Sequence, residues 1–228
     1  MKHTILFLAA NPLGTNRLAL DREARAIQAE LDRSGFRDRF ELVTRWAAEP
    51  LDLLRELRRL KPTVVHFSGH GAPGPGTAGD HRPSSGPHRD VVGDPGHNGS
   101  EPRHGLCFQG PDGRPQLVST EALEETFGAA GTSVKMVVLN ACYSEAQAKA
   151  LLPHVDCVVG MSGSIHDDAA RSFAIGLGRL GERESVAAAC EEGCAAISLD
   201  GLRERARPQL AVRADVDAGK LVLAADPR

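Results

Sequence analysis

No stretch of this chain approaches 18 consecutive apolar residues, so a membrane-spanning helix is not expected. The opening "MKHTILFLAANP" has a short apolar run. Asn11, Pro12 and the charged "DREAR" that follows do not make a cleavable signal, and a cytoplasmic protein is the expectation. Cysteine is sparse and odd in number: the five at 107, 142, 157, 190 and 194 include no CxxC pair. That argues against a disulfide framework and a zinc site, and for reduced thiols in a reducing compartment. Charge of one sign is also lacking, since 27 Lys and Arg face 30 Asp and Glu for a net −3. Aromatic residues are only 4% of the chain, and no basic stripe interleaves with them. Nucleic acid is therefore not an expected partner.

What is present is alternation. The apolar run "HTILFLAA" (3–10) has strand length, and "LALDREARAIQAELDRSG" (18–35) follows at helical spacing with Gly35 as its stop. "FELVTRW" (40–46) alternates as a second strand, "PLDLLRELRRL" (50–60) opens on proline as an amphipathic helix, and "TVVHFSG" (63–69) is a third strand. Strands alternating with helices at this spacing predict an α/β fold, a mostly parallel sheet with helices on both faces. At 228 residues with 41% hydrophobic content, one domain over 1–228 is expected.

The stretch 72–104 breaks the rhythm. Its 33 residues hold seven Gly, six Pro and four His but only two bulky aliphatics, Val91 and Val92, so it is expected to be a flexible insertion. After it, "GLCFQGPDGRPQLV" (105–118) reads as a small hairpin following the third strand. Ser119 then caps a helix that stops at Gly128. "SVKMVVLN" (133–140) is the fourth strand, with a helix from about Ser144 to Leu152. "DCVVGM" (156–161), helices near 167–180 and 184–199, and a last weak strand "GKLVLAA" (219–225) complete the pattern.

Two strand ends carry the chemistry. "VVHFSGHG" (64–71) closes a buried strand on a histidine held between glycines, and "MVVLNACYSEAQA" (136–148) closes another on a cysteine. In an open parallel sheet, ligands bind beyond the carboxyl ends of the strands. If the two strands are neighbours, His70 and Cys142 project into one crevice. A thiolate is the nucleophile in cysteine chemistry, and an imidazole or a helix N-terminus beside the sulfur favours it. Ser144 is the expected cap of the helix just beyond Cys142. Gly69 and Gly71 let the backbone turn about His70, and the amides of Gly71 and Cys142 are the candidate oxyanion hole. His66, four residues before His70, is not an HExxH metal pair, because that motif needs a helix and a glutamate where Phe67 stands. It is expected to be a buried, hydrogen-bonded neighbour, and the other four cysteines core or helix surface. A phosphate-loop reading of "GHGAPGPGTAG" fails for want of Gly-Lys-Ser/Thr.

Taken in order, "VVHFSGHG", "GLCFQGPDGRPQLVSTEALEETF", "VVLNACYSEAQAKAL" and "VVGMSGSIHDDAARSFA" resemble the CHAT domain, a caspase-like cysteine peptidase domain related to caspases, separases and gingipains. Caspases place the histidine about 50 residues upstream of the cysteine; here the separation is 72, and the insertion accounts for most of the excess. The resemblance implies a caspase-hemoglobinase fold and a cysteine endopeptidase acting through an acyl-enzyme, with His70 as acid and base and Cys142 as nucleophile. It also puts Asp167, in "SIHDDAA", near the pocket for the residue before the scissile bond, where a carboxylate favours Arg or Lys. The competing expectation is that Asp167 caps the helix it precedes. The aromatic pair that relatives often carry after "SFA" is absent from "SFAIGLGRLG". By resemblance the partners are a protein substrate, such as a gasdermin-like pore former in bacterial defence, and an activating protein. The insertion is expected to gate the cleft or to be cut on activation. The alternative is a catalytically silent interaction module on the same fold.

Overall fold

The structure is a computed structural model and describes residues 2–72 and 104–223. The expected insertion at 72–104, with its gating or cleavage, lies outside the described residues apart from Ala72 and His104. A six-stranded sheet forms the centre, with β1 (His3–Ala9), β2 (Phe40–Trp46), β3 (Val64–Ser68), β7 (Met136–Asn140), β8 (Cys157–Met161) and β9 (Pro208–Val212). Their order across the sheet is β2-β1-β3-β7-β8-β9. All neighbours are parallel except β9, which runs antiparallel to β8. A second sheet of three short antiparallel strands joins β4 (His70–Ala72), β5 (Gly105–Gln109) and β6 (Pro115–Ser119).

The central strands are apolar on both faces because both are covered, as parallel sheets require. On one face Ile5, Phe7, Val64, Val138 and Val159 pack under α1 (Leu20–Arg33), α5 (Asp167–Gly176) and α6 (Val186–Leu199). On the other, Leu6, Leu8, Val65, Phe67 and Leu139 pack under α2 (Pro50–Leu60), α3 (Thr120–Ala130) and α4 (Glu145–Leu151). The period of two along each strand sends alternate residues to opposite cores. Phe108 of the small sheet meets Phe67 of the large one with ring centroids 4.8 Å apart, which fastens the two together.

Helix termini follow local chemistry. The α2 start combines Pro50 with the Asp52 carboxylate, which accepts from the Glu49 backbone N–H at 3.0 Å. Ser119 caps α3 by accepting from the Ala122 N–H at 3.2 Å. That helix runs through Gly128 and stops at Ala130, where Gly131 takes φ 86°. Gly128 lies inside the helix, where a Cβ would come 3.0 Å from the His154 ring.

The last strand departs from expectation. It is Pro208–Val212, not 219–225; residues 219–223 form turn and irregular backbone, and 224–225 lie outside the described residues. "PQLAV" has β character at an edge, where a leading proline costs no ladder bond, and β8 supplies the partner that 219–223 lack. The helix expected over 167–180 ends at Gly176 and tightens into a 3₁₀ turn over Leu177–Glu182.

Candidate active site

The sheet order places a topological switch between β1 and β3. The chain leaves β1 through α1 to β2 on one side, then crosses by α2 on the opposite face to β3 on the other. A crevice opens at such a point, outside the carboxyl ends of the strands. Here the loop after β1 meets Gly69 and the first residue of β4, His70.

β3 and β7 are hydrogen-bonded neighbours, with Ser68 opposite Asn140. His70 and Cys142 each follow two residues later, and the Gly69 N–H donates to the Asn140 carbonyl at 3.3 Å. Gly71 lies directly on the Cys142 backbone. A Cβ at Gly71 would fall 2.0 Å from the Cys142 carbonyl oxygen, so the glycine is required by close approach. Gly69 is similarly confined, 2.9 Å from the Ala10 carbonyl by the same construction.

His70 is half-buried, and its Nε2 lies 2.8 Å from the carbonyl oxygen of Asn16. A carbonyl only accepts, so Nε2 carries a proton, and in the neutral ring the lone pair is then on Nδ1. The Asn16 carbonyl is held by its loop at three points. The Asn11 side chain accepts from the Leu18 N–H and donates to the Leu18 carbonyl. The Leu13 N–H donates to Gly113 of the small sheet's turn at 2.8 Å. The Asp167 carboxylate accepts from the Ala19 N–H at 2.9 Å.

That last bond gives Asp167 a role in neither expectation. It caps the N-terminus of α1, a helix 148 residues away in sequence whose own Ala19 offers no side-chain acceptor. Asp167 does not precede α5; it is that helix's first residue. With Ala9, Asn11, Arg17 and Trp46 it also lines a cavity of about 560 Å³ at the carboxyl ends of β1 and β2.

Cys142 is half-buried. Its Sγ accepts from the Ile165 N–H at 3.4 Å and stands 3.7 Å from both the Ser164 hydroxyl and the Ile165 carbonyl. The next residue, Tyr143, takes φ 57°, a left-handed conformation that an L-residue adopts at a cost. The chain thus reverses immediately after the sulfur, and the Tyr143 N–H is spent on the Gly163 carbonyl at 3.1 Å. The loop presenting Ser164 and Ile165 is itself anchored by a Ser162 N–H to Arg207 carbonyl bond of 2.9 Å and by a His166–Glu204 pair.

Ser144 differs from its expected role. Its hydroxyl does not cap α4; buried at 1% exposure, it donates to the Leu139 carbonyl at 2.8 Å and accepts from the Met161 N–H at 2.9 Å. Two strands compete for the hydroxyl with the helix, and burial lets the strands win. The other four thiols are held in the protonated form. Burial pushes Cys157 up to about 12, with Asp156 adding to it, and raises Cys107, Cys194 and, with help from neighbouring Cys157 and Cys194, Cys190.

Beneath the two strand ends lies a polar cluster that no motif announced. Glu23 of α1, 1% exposed, accepts from Ser68 Oγ at 2.6 Å and Asn140 Nδ2 at 2.7 Å, and its Oε1 lies 2.5 Å from His66 Nε2. His66 is thus the buried, hydrogen-bonded neighbour expected of it. The signal for Glu23 was present: its neighbours on the buried face are Leu20, Ala24, Ile27 and Leu31, so a carboxylate occupies a core position. Asn16 left no such signal, because its contribution is a main-chain carbonyl.

The fold is a doubly wound α/β sheet, and a half-buried thiol and an imidazole lie just beyond two of its adjoining strands. The chain belongs to the CHAT domain family, which matches residues 9–188. Among solved structures it is similar to a secreted C11 cysteine protease from Bacteroides thetaiotaomicron in complex with an irreversible peptide inhibitor. The identity is 14% and the TM-score 0.49, over 78% of this chain and 54% of that one. This chain therefore spans about half of that protease. No curated protein matches. Among the described residues, no helix is long and apolar enough to cross a membrane.

Proposed function

We propose that the chain is a cysteine endopeptidase in which Cys142 is the nucleophile and His70 the acid and base. The observation that carries this reading is the contact of the Gly71 backbone with Cys142 while the outer nitrogen of His70 is engaged by the Asn16 carbonyl. That bond leaves Nδ1 as the free lone pair of the ring.

The chemistry then runs in two halves. Cys142 Sγ attacks the scissile carbonyl carbon as its proton passes to His70 Nδ1. The oxyanion is met by the backbone N–H groups of Gly71 and Cys142, each such donor being worth roughly 100- to 1000-fold in rate. The tetrahedral intermediate collapses, the C–N bond breaks, and His70 gives its proton to the leaving amine. In the second half His70 takes a proton from water as the water oxygen attacks the thioester carbon; the second tetrahedral intermediate collapses, the C–S bond breaks, and His70 returns the proton to the Cys142 sulfur as the carboxylic acid is released. The Asn16 carbonyl keeps the ring oriented and favours the imidazolium that forms in each half, as a hydrogen-bond acceptor on the far nitrogen does in other His-based sites.

The substrate we propose is a protein chain, such as a co-encoded pore former, with cleavage set off by a second protein. The test is incubation with a peptide library and a thiol-directed active-site probe. The peptidase reading expects probe labelling and turnover in the wild type, with turnover lost in Cys142→Ala and in His70→Ala while both variants stay folded. Turnover that survives Cys142→Ala would sink it.

A further inference from the structure

We propose that Glu23 is a positioning residue: its buried carboxylate ties together the two strands that end two residues before His70 and Cys142 and fixes the loop whose carbonyl holds the His70 ring. The inference rests on the peptidase reading above and extends it to a residue that touches neither the sulfur nor the imidazole.

Three donors from two strands converge on the one carboxylate. His66 Nε2 at 2.5 Å and Ser68 Oγ at 2.6 Å come from β3, and Asn140 Nδ2 at 2.7 Å comes from β7. Ser68 and Asn140 face each other in the ladder, and each lies two residues before a proposed reacting group. The His66 ring is stacked on Phe7 at 5.0 Å with 15° between planes, which aims Nε2 at Glu23. Asn140 Nδ2 also reaches the Ala170 carbonyl of α5 at 3.2 Å, so α1, β3, β7 and α5 meet at this cluster.

Packing alone does not call for such an arrangement. An apolar side chain at position 23 would join Leu20, Ala24, Ile27 and Leu31, and replacing buried ionic groups with apolar ones is often neutral or stabilising. A carboxylate with directional bonds does what an apolar contact cannot, which is to set register and angle. Glu23 lies four residues after Ala19, whose N–H is held by Asp167, and seven after Asn16, whose carbonyl accepts from His70. The carboxylate therefore locates the helix, the helix locates the loop, and the loop orients the imidazole.

The test follows alkylation of Cys142 by iodoacetamide from about pH 5 to about pH 9, the range in which a histidine changes charge. It uses the whole chain, with the Cys142 peptide read by mass spectrometry and the urea midpoint measured for every variant. His70→Ala is expected to slow alkylation near neutral pH and to remove the histidine-dependent rise. Glu23→Gln, which puts an N–H where an acceptor is needed, is expected to slow it about 10-fold and shift its pH profile toward that of His70→Ala; misplacement by 1 Å costs on the order of 100-fold in such sites. Ser68→Ala removes one of the three bonds and is expected to slow alkylation about 3-fold with a near-wild-type urea midpoint, so it carries the test if Glu23→Gln does not fold. A purely structural role would move midpoints and leave the pH profile alone. A wild-type rate and profile in the folded variants, with His70→Ala slow, overturns this inference and leaves the peptidase reading standing. Identical profiles for wild type and His70→Ala overturn the peptidase reading, and this inference with it.

Discussion

The Cys142 carbonyl oxygen occupies the space that a side chain on Gly71 would need, 2.0 Å from an ideal Cβ. Neither residue can shift alone, because β3 and β7 are paired up to Ser68 and Asn140 just beneath them. Residue 71 is glycine here because of a neighbour 71 positions downstream.

Gly71→Ala should therefore push the Cys142 main chain and its sulfur away from His70. On the peptidase reading proposed above, the expected outcome is loss of peptide hydrolysis by about 100-fold or more, the scale of a 1 Å misplacement, with a lowered thermal midpoint. Gly35→Ala, where a Cβ meets nothing within 4 Å, is the matched control and should leave hydrolysis unchanged. Steady-state kinetics on a peptide cleaved by the wild type decide it; full activity in Gly71→Ala would contradict the contact.

Asp167 separates two chemistries by a conservative change. As the cap of α1 it needs only an acceptor oxygen, which Asn supplies nearly as well as Asp, whereas Ala supplies none. Asp167→Ala should cost about 0.5–2 kcal/mol in urea denaturation, the usual range for losing a cap, and Asp167→Asn only a small part of that. A carboxylate that recognised a basic substrate side chain would instead lose selectivity in both variants. Urea midpoints together with Arg-containing and Arg-free peptides distinguish the roles.

Cys157 gives the fold an alkaline limit. Burial, then the charge of Asp156, raises its thiol to about 12 in the folded chain, against about 8.5 for a free cysteine. The native state then holds a proton that the unfolded state releases, so stability is full below about pH 8.5 and falls as pH rises toward about 12. One such group contributes at most about 1.4 kcal/mol per pH unit. Cys157→Ala should be less stable at neutral pH because of the cavity, yet lose stability less steeply above about pH 8.5. Urea midpoints across that range are the measurement, and an unchanged slope would refute the assignment.

Much of the architecture could be read from residue order. The alternation of "HTILFLAA" with "DREARAIQAELDR" and of "TVVHFSG" with later helices specified a parallel, doubly covered sheet, because strand and helix periods differ and each must bury an apolar face. The Gly-His-Gly and Asn-Ala-Cys strand ends marked themselves by putting polar or reactive residues where a strand interior would not. "PQLAV" carries no such mark, because a short edge strand owes its existence to the neighbour it pairs with. Ser144 departs from its pattern for a similar reason: a serine before a helix reads as a cap until β7 and β8 claim its hydroxyl.

What sequence could determine by itself was therefore the periodic and the chemical: which segments form strands and helices, and which strand ends carry a thiol and an imidazole. Tertiary structure alone decided that Asp167 serves a helix 148 residues distant, that a main-chain carbonyl at Asn16 holds His70, and that Glu23 gathers donors from two strands. These are contacts between residues far apart along the chain, made by backbone atoms common to every residue or by side chains whose partners only folding brings within reach. Local pattern has no means of encoding them.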